Sequence, residues 1–367
     1  MTLQMTLPYW YDLHTHFRQD ETLRATVQDH LKMGCAGALA MPNTKPPVGK
    51  VFRDDALDQY KSIEDYYAEI DTATDHQFDA LIVPLYITKE TTPEMIEKSA
   101  KSGVLKACKY YPPHGTTGAE FGYPFQEFMD NGVFKAMEDH GVTLCIHGEE
   151  HALCGSRYFD RHENAEEIFY RETMPRILDF CPNLRMVGEH LTTKVGVDFI
   201  QAAPDHVMAT VTPQHLIYTV GDLLQGLKYH LYCLPLVKFD EDRDALRRAV
   251  TDAGNTKFFA GTDSAPHTNK VTPCGCAAGC YTGGIAPQLY AEAFEMAGVD
   301  LGTETGQQIF ERFLCTLGRD YYDLPVPDKT FTLRKEPQAV EPLSIGGHTI
   351  VPLTVGMESR LSWSLDL

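Results

Sequence analysis

Five segments of this 367-residue chain carry side chains suited to metal or acid–base chemistry. They are Asp12-Leu13-His14-Thr15-His16, Ala107-Cys108-Lys109-Tyr110-Tyr111, Cys145-Ile146-His147-Gly148-Glu149, Glu189-His190-Leu191-Thr192-Thr193, and the run Gly261-Thr262-Asp263-Ser264-Ala265-Pro266-His267. In an extended segment, residues two apart face the same side, so His14 and His16 can present two imidazoles to one cation. A solvent-exposed histidine pair is the plainer alternative there. For His147 or His190 alone it is a core histidine with a satisfied hydrogen bond. Taken together, the four histidines and Asp263 point to a metal, and imidazole with carboxylate suits zinc best among the common divalent ions. Asp263 can also be a helix N-cap. In a two-metal site it could instead bind one ion, take a proton from hydroxide and pass it to a leaving nitrogen. Lys109 stays open on the residues alone. It is either a strand lysine in a salt bridge, or an amine whose charge carbon dioxide has reversed, so that it bridges two cations.

What must position these groups is a repeating frame. Apolar runs recur at Tyr9–Leu13, Gly37–Met41, Ala80–Leu85, Val104–Tyr111, Thr143–Ile146, Arg185–Val187, Val207–Val211 and Lys257–Ala260. They are continuous rather than alternating, as parallel strands buried on both faces are. Helical spacing fills the intervals, at Glu21–Met33, Asp54–Ile70, Pro93–Lys101, Gln126–His140, Glu163–Phe180, Lys194–Ala203 and Arg243–Ala253, with further helices at Pro287–Ala297 and Gly306–Leu317. Gly34, Gly103, Gly141 and Gly254 suit helix C-caps, and Thr92 before Pro93 suits a helix start. Eight strands alternating with helices predict an α/β fold, a closed (β/α)8 TIM barrel rather than an open doubly wound sheet. The βα units are expected over about 9–320, with a short C-terminal extension packed on the barrel over about 325–367, so that 1–367 forms a single domain. Each chemistry-bearing segment then falls at the C-terminal end of a strand, on the rim where βα loops build active sites.

With 43% hydrophobic and 23% charged residues, the chain has ample material for a large core. Its formal net charge of −19 repels phosphate backbones and argues against nucleic-acid binding. The same field repels small anions, so an anion site needs cations placed locally. No segment reaches the length of a membrane span. Met1–Pro8 has neither a basic residue nor a long apolar run, so neither signal peptide nor membrane is expected. Ten scattered cysteines then read as reduced thiols of a cytoplasmic protein.

Longer blocks around these positions carry a resemblance. Asp12-Leu13-His14-Thr15-His16-Phe17-Arg18, Met41-Pro42-Asn43-Thr44, Lys109-Tyr110-Tyr111-Pro112, Ile146-His147-Gly148-Glu149, Glu189-His190-Leu191-Thr192-Thr193, Thr212-Pro213-Gln214-His215-Leu216, His230-Leu231-Tyr232-Cys233-Leu234-Pro235 and the run from Gly261 to His267 together resemble the dihydroorotase family, in its shorter bacterial homodimeric type, within the amidohydrolase superfamily. The last three blocks are far more specific than His-x-His. The resemblance implies two zinc ions per subunit. One would be held by His14, His16 and Asp263 and the other by His147 and His190, with N6-carboxylated Lys109 and a hydroxide bridging them. It implies Asp263 as general acid/base and Arg18 and Asn43 on the substrate's free carboxylate, with His267 beside them and Ala265 among the contacts. Backbone groups near Leu234 and an alanine of the Cys274–Cys280 loop would read the polar edge of the ring. That loop carries one alanine more than the family pattern, and Ala277 is taken as the contact. Thr116 and Thr117 match a mobile loop that covers substrate, with Gly115 and Gly118 compatible with a hinge. The implied reaction is the reversible cyclisation of N-carbamoyl-L-aspartate to L-dihydroorotate in pyrimidine biosynthesis, by a homodimer.

Other readings compete. A two-zinc cyclic amidase of hydantoinase or allantoinase type need not grip a free carboxylate, so Arg18 discriminates. A catalytically silent scaffold homologue would have lost metal ligands, whereas every ligand position here is filled. A zinc knuckle in the cysteine-rich loop lacks a clear fourth ligand. Little chain precedes the first strand, so a β-sandwich built from both termini is not expected.

Overall fold

The computed structural model describes residues 3–113, 115, 118–273, 275–354 and 360–367. Eight parallel strands surround its core: β1 (Trp10–Thr15), β2 (Cys35–Ala40), β3 (Ala80–Ile82 continued by Leu85–Tyr86), β4 (Ala107–Tyr110), β5 (Thr143–His147), β6 (Met186–Glu189), β7 (Val207–Val211) and β8 (Phe258–Ala260). Each pairs in parallel with the next. The first half of β3 pairs with β2 and the second half with β4. The break falls at Val83-Pro84, where proline has no N–H to give to a ladder. Past β8 the chain returns to β1: Asp263 N donates to His14 O at 2.8 Å and His16 N to Ser264 O at 2.9 Å. Asp12 adds to this seam by accepting from Thr262 N at 3.0 Å and Thr262 Oγ1 at 2.6 Å.

Alternation along the strands explains what faces inward. Ala107, Cys145, Val187 and Phe259 belong to one buried cluster with Leu13, Tyr322 and Leu324. Two residues further along β4, β5 and β6, with the same facing, stand Lys109, His147 and Glu189. The opposite strand faces pack with the helices into a larger core that includes Leu144, Met186, Val211 and Phe258. An apolar floor thus ends at a polar layer, one pleat from the rim.

Helix positions follow the apolar spacing, with instructive breaks. Thr92 caps Pro93–Lys101 through Met95 N, as expected. The helix expected over Asp54–Ile70 begins only at Ile63, capped by Ser62, because Lys61–Ser62 pairs instead with Val48–Lys50. Asn131 and Gly132, the latter at φ 82°, split the expected Gln126–His140 helix into Phe125–Asp130 and Val133–Asp139. A wider π turn over Phe169–Thr173 interrupts Glu163–Phe180 just before Pro175, which has no N–H to return to the preceding turn. Gly34, Gly103 and Gly141 take the left-handed conformation expected of C-caps, whereas Gly254 does not; its helix ends at Thr251.

The chain termini depart from expectation in part. Gln4–Pro8 pairs antiparallel with Thr330–Arg334, which pairs in turn with Ser364–Asp366. Both termini therefore do share a small sheet, although it is a single three-stranded one and not a sandwich. The tail packs on the barrel through Trp363, fully buried, whose Nε1 donates to Glu295 at 2.9 Å.

Candidate metal centre

His14, His16 and Asp263 converge at the seam between β1 and the end of β8, with ligand-type atoms all within 4.8 Å of one another. Asp263 Oδ1 lies 3.4 Å from His14 Nε2 and 3.0 Å from His16 Nε2. The His190 ring is centred 4.9 Å from that of His14 and 4.7 Å from that of His147, so the four imidazoles form one continuous group. Lys109 is fully buried, and its Nζ makes no hydrogen bond among the described residues; it lies 5.1 Å from the centre of the Tyr111 ring.

Three of the rings are held from behind by acceptors. His14 Nδ1 lies 2.5 Å from Glu189 Oε2, His16 Nδ1 lies 2.7 Å from Asn43 Oδ1, and His147 Nε2 lies 2.9 Å from Glu149 Oε2. Carboxylate and amide oxygens only accept, so each contacted nitrogen carries a proton, and the opposite nitrogen is the one left to bind a cation. This is the arrangement that metal-ligating histidines use. Thr210 extends it: its hydroxyl donates to Glu189 Oε2 at 2.7 Å and accepts from His190 N at 2.7 Å. Within the same layer, Glu189 Oε1 and His190 Nδ1 are buried without a hydrogen-bond partner among the described residues. Unpaired polar atoms at that depth are costly. A buried amine, a carboxylate oxygen and an imidazole nitrogen, each without a partner among the described residues, fit a site for divalent cations.

Electrostatics agree with that fit. Burial pushes His16 down to about 4 and His190 well below the usual imidazole range, which keeps both rings neutral, as ligands must be. Burial also lowers His14, but Glu189 and Asp263 outweigh it and the net shift is upward; a divalent cation beside His14 would displace that proton. Asp263 is drawn well below the ordinary carboxyl range, its burial being outweighed by the hydrogen bonds from His14 and His16. Burial lowers the Lys109 amine. The backbone is strained at this rim: Arg18, His190 and Asp263 have φ of 63°, 41° and 48°. Left-handed conformations at residues other than glycine cost energy and cluster at functional sites.

A cleft of about 340 Å³ opens above these groups. His14, His16, His147, His190 and Asp263 line it, as do Arg18, Asn43, Leu234 and Ala265. Ala277, the expected alanine, does not; Ala278 and Gly279 stand on the wall instead. The reason is the local hairpin, in which Ala277 N is spent on Lys270 O at 2.8 Å. His267 sits behind the wall, its Nε2 2.6 Å from Ala278 O and 3.3 Å from an Arg18 terminal nitrogen. Thr116 and Thr117 lie outside the described residues. Gly118 beside them abuts Asn43, where an added Cβ would meet Asn43 Cβ at 3.1 Å. A larger groove of about 1270 Å³ runs outside β3, away from the histidines. Sequence reasoning passed over Glu189, Glu149 and Thr210 as working residues. The signal for Glu189 was a carboxylate closing an otherwise apolar strand.

No family model matches the chain. Curated relatives match it end to end. A dihydroorotase of Teredinibacter turnerae is 39% identical over 372 residues, covering 100% of both chains. Another, of Picosynechococcus sp., is 38% identical and covers 98% of both. Among solved structures, the dihydroorotase of Saccharomyces cerevisiae in complex with 5-fluoroorotic acid superposes with a TM-score of 0.84 at 24% identity, over 99% of this chain and 98% of that one. The dihydroorotase of Campylobacter jejuni gives 0.81 at 24% identity, over 100% and 98%. A D-hydantoinase from Thermus sp. shares the fold at 0.70 and 12% identity, over 99% and 82%.

Replacing Glu189 with glutamine keeps its shape but removes the charge that orients His14. Glu189→Gln is expected to weaken divalent-metal retention by about 10–100-fold. Competition with a colorimetric chelator measures this, and retention equal to the parent protein would remove Glu189 from the ligand support.

Proposed function

We propose, from the premise that the chain belongs to the dihydroorotase family, that it interconverts N-carbamoyl-L-aspartate and L-dihydroorotate in pyrimidine biosynthesis at the cleft above His14, His16 and Asp263. The observation that carries the assignment is full-length identity to dihydroorotases together with an arginine placed beside a histidine–aspartate cluster. In this reading His14, His16 and Asp263 hold one zinc ion, and His147 and His190 hold a second. Lys109 would help to hold both once its neutral amine had added carbon dioxide, forming an N–C bond and losing a proton. Burial favours that neutral amine. The ions would supply Lewis acidity and, by lowering the pKa of water from 15.7 to about 7, a hydroxide nucleophile at neutral pH. A homodimer in the cytoplasm belongs to the same proposal.

The chain's own groups divide the remaining work. Arg18 binds the free carboxylate of the substrate. Its Nε is held by Pro266 O at 3.2 Å. The neighbouring His267 Nε2 must donate to Ala278 O, since a carbonyl only accepts. That nitrogen therefore cannot accept from Arg18, whose terminal N–H groups stay available as a fork for a carboxylate. Asn43, which lines the cleft with Arg18, accepts from His16 Nδ1 through Oδ1 and in this reading joins Arg18 on the carboxylate. In ring opening, oxygen from water bonds to the ring amide carbon and the C–N bond breaks. Asp263 takes the nucleophile's proton and delivers it to the departing nitrogen. Ring closure is the reverse, with water lost. A hydantoinase-type substrate need not carry the anion that Arg18 would bind in this reading.

The deciding experiment is an assay in both directions with these two compounds, before and after chelation and with zinc restored. Activity should vanish on chelation and return with zinc, and a protein that turns over neither compound when loaded would end the reading. Asp263→Asn should lower turnover by about 10²–10⁴-fold while the protein stays folded with part of its metal, as loss of proton transfer requires. Turnover near that of the parent would reassign the acid/base. For Arg18→Lys, KM should rise at least about tenfold, because a point ammonium replaces a bidentate charged contact. Steady-state kinetics with L-dihydroorotate give the comparison, and an unchanged KM would place the carboxylate elsewhere.

A further inference from the structure

The wall of the cleft formed by Leu234, Ala278 and Gly279 is built from two loops that share no strand of the barrel. One follows the short turn Tyr229–Leu231. The other runs from Lys270 to Cys280 through a small hairpin pairing Val271–Thr272 with Gly275–Cys276. Loop backbone left to itself is mobile, yet these two must hold their carbonyls and amides in fixed places if they are to read a ring edge. Lys270 lies where they meet. It is 8% exposed and has no carboxylate partner among the described residues. Its Nζ donates to Tyr232 O at 2.6 Å, to Ala277 O at 2.7 Å and to Gly279 O. An ammonium has three donors and no acceptor, so all three are consumed and none is left to reach a substrate. The pinning is reinforced by Gly279 N, which donates to Tyr232 O at 3.0 Å. Gly279 itself has φ of 144°, and a Cβ there would lie 2.7 Å from Ala265, so this corner admits little adjustment.

We infer that Lys270 is a positioning residue for substrate recognition: by binding three main-chain carbonyls from the two loops, it fixes the wall carrying Leu234, Ala278 and Gly279. The inference deepens the dihydroorotase reading and rests on it. Charge burial without a counter-ion is expensive. Here the partial charges of three carbonyls replace the hydration shell, and losing the ammonium would leave those carbonyls unpaired under the wall. Such a residue governs how tightly the ring is held. It does not take part in proton transfer at Asp263.

Three variants test it, Lys270→Met, Lys270→Gln and Lys270→Arg, each checked for zinc content and for folding by circular dichroism. In Lys270→Met, KM for L-dihydroorotate should rise about tenfold or more, the cost of losing charged hydrogen bonds, while kcat changes less than about threefold by the same scale. Zinc content should match the parent. Hydrogen exchange should accelerate at residues 229–235 and 275–280 and stay unchanged along the barrel strands. The Gln variant should fall between Met and Arg, since Arg keeps charge and several donors. Should Lys270→Met not fold, the Gln and Arg variants carry the comparison. Equal KM in the parent and in every folded variant overturns the inference, as does a loss confined to kcat. An inactive but zinc-loaded parent protein would instead sink the assignment of substrate, so the two failures are told apart.

Discussion

Lys109 Nζ is buried on the inner face of β4 and meets no hydrogen-bond acceptor among the described residues. An uncompensated ammonium in that position costs several kcal/mol, so the fold tolerates this lysine only as a neutral amine or as something of opposite charge. The surrounding layer has matching peculiarities. Among the described residues Glu189 keeps one oxygen and His190 one nitrogen without a partner, and three imidazoles are each held from behind by an oxygen that accepts a ring N–H. Each group is poorly satisfied alone. In the proposed site, with metal ions bound and the amine carboxylated, the same groups would stabilise one another. The barrel supplies the geometry by ending an apolar interior one pleat below the rim.

The positive backbone angles at His190 and Asp263 fit the same picture. Each adjoins a segment tied firmly back to the barrel. Glu166 receives Thr192 N at 2.9 Å and Thr193 N at 2.8 Å after β6, and Thr262 engages Asp12 before Asp263. Strain at a ligand persists only where neighbouring hydrogen bonds over-determine the backbone, and these bonds do so on either side.

Much of this was legible in the residues. Strand ends were marked by apolar runs giving way to histidine or aspartate, and parallel strands need continuous apolar character, so eight runs sufficed to place Lys109, His147, His190 and Asp263 on one rim. What escaped had physical causes. Glu189 and Glu149 look like ordinary carboxylates until the fold brings a ring nitrogen within 2.9 Å or less of them. The choice between Ala277 and Ala278 depended on hairpin register, which one residue reverses. Helix breaks at Asn131-Gly132 and before Pro175 respond to tertiary packing as well as spacing. The terminal sheet pairs segments that no local pattern relates.

That sheet has a consequence for how the molecule is made. Thr6 and Thr332 meet across a sequence separation of 326, and Thr330–Arg334 is flanked on its two sides by segments far apart in the chain. Contacts of such sequence separation form late and slowly. During synthesis Gln4–Pro8 is made long before Thr330–Arg334 and must wait, unpaired, until that neighbour exists. For that interval it is an open strand edge, the kind of surface that invites association with other nascent chains. Its length of five residues and the proline that closes it limit what such a waiting edge can pair with.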